Sequence, residues 1–219
     1  MYGSPSSSPS IKSYRGISGA SSIELNPNTS KYTITLRGAE IETTVTDKST
    51  VVDQWVQDMN ALYATNSSIV VGVDVERCAI RNKSATLNLC INKKCLIVQL
   101  FYIDNLPVSL KNFLMNPNFF FAGFEFANDI PNIKKEYGLN FCVHADIKKL
   151  ALEKCRNWWS DPPSLKDIAE HVVRLEMKKP KLVSLSNWGA RVLSIEQVEY
   201  GCIDAFVCSK IGHVLLRDD

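Results

Sequence analysis

The chain has 219 residues, of which 45% are hydrophobic, and its 25 basic and 23 acidic side chains leave a net charge of only +2. This length and composition fit one sizeable globular α/β domain, and the lack of bulk basic charge means that any nucleic acid would be held at a local site. No stretch reaches the roughly 18 unbroken apolar residues of a membrane helix, and the Ser- and Pro-rich N-terminus lacks the apolar segment of a secretory signal.

The seven cysteines are odd in number, include no CxxC pair and lie mostly in apolar runs. This pattern predicts buried, reduced thiols in a cytosolic or nuclear protein. The three histidines, at positions 144, 171 and 213, are far apart in the sequence. Their spacing argues against a zinc site, and a redox or zinc protein built on the cysteines lacks the required ligand spacing.

The N-terminal third of the chain changes character near residue 31. Residues 1–30 are rich in Ser, Pro, Gly and Asn, which predicts a flexible tail followed by one domain over 31–219. The stretch "KYTITLRGAEIETTVT" alternates on both sides of Gly38 and predicts a hairpin. A helix follows from about residue 50, where Thr50 and Asp53 resemble a capping box.

The middle of the chain predicts strands and short helices in alternation. Apolar residues at 70, 71 and 73 indicate a buried strand over 68–76, and "ATLNLCI" and "CLIVQLFYI" indicate two more strands joined by a polar turn at 92–94. A short helix "VSLKNFLMN", a strand "FFFAGF", a helix ended by Gly138 and a short strand "FCVHA" come next.

The C-terminal third is predicted to be mainly helical. Helices run near 146–156 and 164–177, and the connection "MKKPKLVSLSNW" leads to a long helix from Ser194 to about residue 216. Ser194 and Gln197 have the spacing of a capping box. Taken together, the order of elements predicts a mixed sheet with helices on both faces.

Two acids, Asp74 and Glu76, stand near the end of the strand "IVVGVDVER". Alternate side chains of a strand point to the same face, so the two carboxylates would emerge together and repel each other. A divalent metal ion between them would relieve that repulsion, because hard cations bind carboxylate oxygens. The alternative is a pair of solvent-exposed acids at a strand end.

Further acids occur in two other segments. Tyr200 and Asp204 lie four residues apart on one face of the last helix, in a mostly apolar stretch where a carboxylate usually has a partner. Asp129 in "FAGFEFANDIPNI" precedes a predicted helix, and Glu125 competes with it for the same role. The alternatives are a local cap or pair for Asp204 and an ordinary helix cap for Asp129.

The order and spacing of these residues resemble the DnaQ-like 3′–5′ exonucleases of the DEDD type that carry a tyrosine in the third motif. The resemblance covers about residues 50–216 and is carried by "VGVDVE", "AGFEFAND" and "YGCIDA". Within that group the chain resembles the Werner-syndrome-like exonuclease domain, whose Asn-Trp segment is matched by "LSNW". The segment "TLRGAEIETTVTDKSTVVDQWV" is similar to small plant proteins of this type, including the RISC-interacting clearing exoribonucleases.

This resemblance implies an RNase H-like α/β fold with a mixed β-sheet flanked by helices, and a metal-dependent 3′–5′ exonuclease. Its substrate would be the 3′ end of single-stranded RNA or DNA, with RNA favoured, and it would use two Mg²⁺ or Mn²⁺ ions, which lie about 4 Å apart in such sites. A ring-like homo-oligomer and a cytoplasmic or nuclear location are further expectations, and a membrane is not.

The resemblance also implies a role for each acid. Asp74 would bridge both ions, Glu76 and Asp204 would complete the ion site that holds the attacking water, and Asp129 would act on the second ion through water. Tyr200 would orient the attacking water by a hydrogen bond, since a phenol with a pKa near 10 is a poor base at neutral pH.

Some residues depart from the family pattern or leave alternatives open. Arg77 stands where relatives often carry Trp, Phe126 where a small residue is common, and Pro131 interrupts the start of a helix. The unusual second motif, which contains Phe126, motivates a second hypothesis, a nucleic-acid-binding or oligomeric scaffold protein on an exonuclease fold with little or no turnover. The basic run "MKKPK" at 177–181 is open to two interpretations, a contact with phosphates or a solvated loop.

Overall fold

A single mixed sheet of nine strands organises the part of the chain that the computed structural model describes, residues 11–66 and 68–216. The strand order is β1-β2-β3-β4-β7-β6-β5-β8-β9. The strands are β1 Lys12–Tyr14, β2 Ser22–Asn26, β3 Lys31–Leu36, β4 Ala39–Thr46, β5 Ile69–Cys78, β6 Lys83–Ile91, β7 Lys94–Gln99, β8 Phe119–Gly123 and β9 His144–Asp146.

Helices cover both faces of the sheet, as the order of elements predicts. They are α1 Ser49–Leu62, α2 Val108–Leu114, α3 Ile130–Tyr137, α4 Ile147–Lys154, α5 Leu165–Val173, α6 Lys181–Ser184 and α7 Ile195–Leu215. One apolar cluster joins the sheet to α4, α5, α6 and α7, and a second joins it to α1, α2 and α3. Among these described helices, none is long and apolar enough to cross a membrane.

The central strand β5 carries the predicted acid pair. It pairs antiparallel with β6, where Asp74 is opposite Asn88 and Glu76 is opposite Thr86, and it pairs parallel with β8. The register shifts between Glu76 and Arg77, which marks a β-bulge at the end of the acidic segment. Both faces of β5 are covered, which explains its continuous apolar run.

Helix α7 lies directly on β5 and is buried along almost its whole length. Ser194 and Gln197 form the predicted capping box at its start. A Cβ atom at residue 72 would lie only 1.8 Å from the carbonyl oxygen of Ala205, so the helix reaches this close approach because residue 72 is glycine. The same contact brings Asp204, the residue before Ala205 in α7, to the acidic end of β5.

The prediction of a flexible tail over 1–30 is wrong for residues 11–30, and residues 1–10 lie outside the described part of the chain. Strands β1 and β2 extend the sheet, and Ile23 is only 1% exposed. Pairing with β3 supplies the backbone hydrogen bonds that the Ser-rich composition does not reveal. The predicted domain boundary at residue 31 therefore falls inside a sheet.

Two local details also differ from the sequence-based predictions. Helix α1 begins at Ser49 after Lys48, without a side-chain cap, so the Thr50–Asp53 capping box is wrong, and Asp53 accepts a hydrogen bond from Ser109 Oγ instead. Helix α5 ends at Val173 rather than near residue 177, because Arg174 adopts a left-handed conformation with φ of 56°. All seven cysteines are free, and all except Cys142 are buried.

Candidate metal centre

Three carboxylates converge at the contact between β5 and α7. Asp74, Glu76 and Asp204 each offer an oxygen, and these oxygens all lie within 4.8 Å of one another. Asp74 and Glu76 are partly buried, while Asp204 is only 1% exposed. Carboxylate oxygens at this spacing match the donor set that Mg²⁺ and Mn²⁺ prefer, so the residues present fit such an ion. We call these three residues the acidic cluster.

Asn88 holds Asp74 in place. Its Nδ2 donates to Asp74 Oδ2 at 2.8 Å, and the side chain is fully buried between β6 and α7. Its Oδ1 accepts no hydrogen bond from any residue in the described ranges. A Cβ at Gly201 would lie 2.6 Å from Asn88 Nδ2, so α7 leaves room for this amide only with glycine there. Asn88 was not among the predicted site residues, although an amide inside "ATLNLCI" is an unusual polar residue in a buried strand.

Lys179 supplies a cation to the acidic cluster. Its Nζ lies 2.5 Å from Asp204 Oδ2 and 4.9 Å from the centre of the Tyr200 ring, while 32% of the side chain stays exposed. The interpretation of "MKKPK" as a solvated loop therefore does not hold for Lys179. One lysine cannot neutralise three carboxylates, which leaves room for further positive charge.

Burial and mutual repulsion disfavour ionisation of the acidic cluster. Burial, followed by the Asp204 charge, raises the pKa of Asp74 to about 7, although Lys179 and the Asn88 hydrogen bond oppose the rise. Burial and the charges of Asp74 and Asp204 raise the pKa of Glu76 well above its ordinary value. Burial also raises the pKa of Asp204, against the opposing effect of Lys179. A divalent ion would therefore displace protons as it binds.

Tyr200 lies one helical turn before Asp204 and is only 4% exposed. Its ring contacts the buried Trp188 of "LSNW", with ring centroids 6.0 Å apart. Burial and the nearby Asp204 charge raise the pKa of the phenol above its ordinary value. At neutral pH the hydroxyl therefore keeps its proton and can donate a hydrogen bond, but it cannot act as a base.

Asp129 is not part of the acidic cluster. It lies between a 3-10 turn, Phe126–Asn128, and α3, and its side chain makes no capping hydrogen bond, so the helix-cap alternative is not realised. Burial raises the pKa of Asp129 to about 6, although Arg77 opposes the rise. Its charge also contributes to the raised pKa values of Asp74 and Glu76.

Glu125, the alternative to Asp129 for the same role, forms an ion pair at the surface. Its carboxylate pairs with Lys148 Nζ at 2.6 Å, and half of the side chain is exposed. Glu125 has a left-handed backbone with φ of 54°, which turns the chain sharply at the end of β8. Neither Glu125 nor any other acid in the described residues completes a cluster of four with Asp74, Glu76 and Asp204.

The residues that depart from the family pattern have structural explanations. Arg77 donates to Ser84 Oγ at 3.0 Å and pairs with Glu136 at 3.3 Å, which ties the end of β5 to α3. Phe126 is 1% exposed and meets Phe141 edge to face, with centroids 4.9 Å apart, so its size fills the core. Pro131 lies in the first turn of α3, where a missing N–H breaks no helical hydrogen bond, so it does not interrupt the helix.

Comparison with known proteins places this geometry among nucleases. Residues 43–218 match the model of a family described as 3′-5′ exonuclease. Exonuclease 3′-5′ domain-containing protein 2 of Homo sapiens is 28% identical over 144 residues, which are 62% of this chain and 23% of that protein. The 3′-5′ exonuclease of Arabidopsis thaliana is 25% identical over 155 residues, 66% of this chain and 52% of that protein. The chain thus spans between about a quarter and a half of these two relatives.

The structural match concerns the fold. RNase D of Escherichia coli, an exoribonuclease involved in structured RNA processing, superposes with a TM-score of 0.65 at 16% identity over 80% of this chain and 44% of that chain. The prediction of an RNase H-like α/β fold, with a mixed sheet flanked by helices, is confirmed. Strands β1, β2 and β3 precede the region matched by the family model.

Proposed function

The chain belongs to the 3′-5′ exonuclease family, and from this premise we propose that it removes nucleotides from the 3′ end of single-stranded nucleic acid in a metal-dependent reaction. The observation that carries the proposal is the acidic cluster, three carboxylates within 4.8 Å of one another on buried elements. Such a cluster repels the phosphates of a substrate unless cations are bound, so the protein without divalent ions should be inactive.

Asp74, Glu76 and Asp204 would hold the ions, two of Mg²⁺ or Mn²⁺, with Asp129 contributing to the second. Bound there, divalent ions supply an activated water and relieve the charge on the leaving oxygen. The chain's own residues orient the reactants. Tyr200 donates its O–H to the attacking water, Asn88 fixes the rotamer of Asp74, and Lys179 adds positive charge beside Asp204.

The finer points of the proposal rest on the sequence resemblance. Residues 35–56 resemble small plant exoribonucleases, and "LSNW" resembles the Werner-syndrome-like domain, so RNA is favoured over DNA as substrate. The exposed strand β1 forms one edge of the sheet, which supports a ring-like homo-oligomer through pairing of edge strands. A cytoplasmic or nuclear location fits the seven free cysteines.

A nuclease assay tests the proposal directly. Purified protein is incubated with RNA and DNA single strands of matched sequence, labelled at the 5′ end, in Mg²⁺, Mn²⁺ or a chelator. We expect stepwise shortening with either metal, faster on RNA, and none with the chelator. Asp74→Ala should not shorten the strands, whereas Glu153→Ala, which changes an exposed acid of α4, should be fully active. Equal shortening by Asp74→Ala, or none by the unaltered protein, contradicts the proposal.

A second candidate function is a nucleic-acid-binding or scaffold protein with little turnover. The position of Asp129 outside the acidic cluster favours it, because the site then lacks a fourth close ligand. This alternative predicts that single strands bind without being cut and that Asp129→Ala changes nothing. Titration of Mn²⁺ by calorimetry separates the two functions, because a scaffold should not bind two divalent ions tightly.

A further inference from the structure

Glu199 is a buried carboxylate that the proposed reaction does not use. It precedes Tyr200 on α7 and has no exposed surface. No lysine, arginine or histidine in the described ranges forms an ion pair with it. Burying an unpaired carboxylate costs several kcal/mol, so a compensating interaction must be present.

Backbone N–H groups of a loop near the N-terminus supply that interaction. Glu199 Oε2 accepts from Ile17 N at 2.8 Å, and Oε1 accepts from Ser18 N at 2.9 Å and from Ala20 N at 3.0 Å. A Cβ at Gly16 would lie 2.4 Å from Glu199 Oε1, so the loop closes on the carboxylate because residue 16 is glycine. We call residues 16–20 the N-terminal loop.

The other side of the N-terminal loop contacts the segment that carries Lys179. The carbonyl oxygen of Ser18 accepts from Lys178 N at 2.8 Å. Gly19 packs against the backbone of Glu176 and Met177, at distances of 3.5–3.6 Å from the position of a Cβ. Lys179 directly follows Lys178, and its Nζ lies 2.5 Å from Asp204 Oδ2.

We propose that Glu199 is a positioning residue that holds Lys179 at the acidic cluster through the N-terminal loop. The carboxylate fixes three amides of the loop, the loop fixes the backbone of Lys178, and Lys179 is thereby directed at Asp204. The loop lies before residue 43, outside the region matched by the family model. Its effect on catalysis rests on the proposed function, but the connection itself does not.

Glu199→Gln is the decisive variant, because it keeps the size of the side chain but replaces an oxygen acceptor with an NH₂ donor. At least one loop amide then loses its acceptor. Glu196→Gln is the matched control, since Glu196 is exposed on the same helix. Hydrogen exchange of the Lys178 amide, measured without metal or substrate, should accelerate at least about 10-fold in Glu199→Gln and stay unchanged in Glu196→Gln. Unchanged exchange in Glu199→Gln overturns the inference.

A double-mutant cycle tests whether Glu199 acts through Lys179. Mn²⁺ affinity and kcat are measured for the unaltered protein, Glu199→Gln, Lys179→Met and the double variant at pH 8. Removing the lysine should tighten Mn²⁺ binding by about 3-fold or more, because a competing cation leaves Asp204. Glu199→Gln should shift the Mn²⁺ affinity and kcat in the same direction as Lys179→Met does. In both quantities the double variant should equal Lys179→Met within about 2-fold.

The outcomes separate this inference from the proposed function. If the effects of the two substitutions multiply, Glu199 acts independently of Lys179 and the positioning role is wrong, even with a fully active enzyme. If the unaltered protein neither binds Mn²⁺ nor cuts RNA, the proposed function is wrong and Glu199 positions no catalytic group. The hydrogen-exchange result then still decides whether Glu199 holds the loop against Lys178.

Discussion

The acidic cluster and the segment around Asp129, which we propose act together in one site, are built differently. Asp74, Glu76 and Asp204 come from a central strand and a buried helix in direct contact, and their carboxylate oxygens lie within 4.8 Å of one another. Asp129 follows a left-handed residue and a 3-10 turn in a partly exposed segment, and it stays outside the cluster. Packed regular elements bring like charges together against their repulsion, whereas an irregular segment leaves its carboxylate apart.

The largest expected effect of a single change lies in the acidic cluster. Asp204→Asn keeps the shape of the side chain but removes the charge of a proposed metal ligand, a residue that is 1% exposed. We expect kcat on single-stranded RNA to fall by about 10³-fold or more, because ion binding supplies several kcal/mol of the stabilisation of the transition state. Thermal unfolding without metal should show a stable protein, since a repulsion is also removed. A kcat within 10-fold of that of the unaltered protein would contradict the distinction between the acidic cluster and the segment around Asp129.

A smaller effect is expected at Asp129. Asp129→Asn should lower kcat by about 10–100-fold, the range found when a supporting group of a metal site is lost, and should leave the affinity for the first Mn²⁺ ion unchanged. Steady-state kinetics and calorimetry measure the two quantities. Glu125→Gln is the control and should change kcat by less than about 3-fold, because its surface pair with Lys148 contributes little. A loss at Asp129 as large as that at Asp204 would show that the two regions act as one unit.

The smallest expected effect concerns stability and pH. The folded-state pKa values of Asp74, about 7, and Asp129, about 6, exceed the value of about 3.9 in an unfolded chain. The folded protein therefore binds more protons than the unfolded chain between pH 4 and 7, so the stability that these groups contribute is full below about pH 4 and is lost as the pH rises to 7.

Calorimetry can measure this pH dependence. Without metal, the midpoint of unfolding should fall from pH 5 to pH 8 by a few degrees, since 1 kcal/mol shifts it by about 2–4 °C in a chain of this size. Mn²⁺ should raise the midpoint more at pH 8 than at pH 5, because protons compete with the ion. Asp204→Asn should flatten the dependence more than Asp129→Asn does. A metal effect that is equal at both pH values would contradict the charge balance assigned to the acidic cluster.

Sequence patterns within a single strand or helix predicted much of the candidate site. Contacts between segments that are distant in the sequence could not be predicted from such patterns. The alternation of β5 placed Asp74 and Glu76 on one face, and the helical spacing placed Tyr200 with Asp204, as the structure has them. Lys179 reaches Asp204 only because of the path of a connecting segment, which no periodicity encodes. The N-terminal loop was missed for the same reason, since its partner Glu199 is about 180 residues away.

The glycine at position 72 has a consequence for judging related sequences. Helix α7 rests on β5 at Gly72 with no space for a methyl group. Alanine at this position would therefore move Asp204 away from Asp74, although all the acidic residues would still be present in the sequence. A descendant of this protein could thus become a pseudoenzyme without any change that an inventory of catalytic side chains would detect. A search for homologues that have lost nuclease activity should therefore check for glycine at the position of Gly72 as well as for the acidic residues.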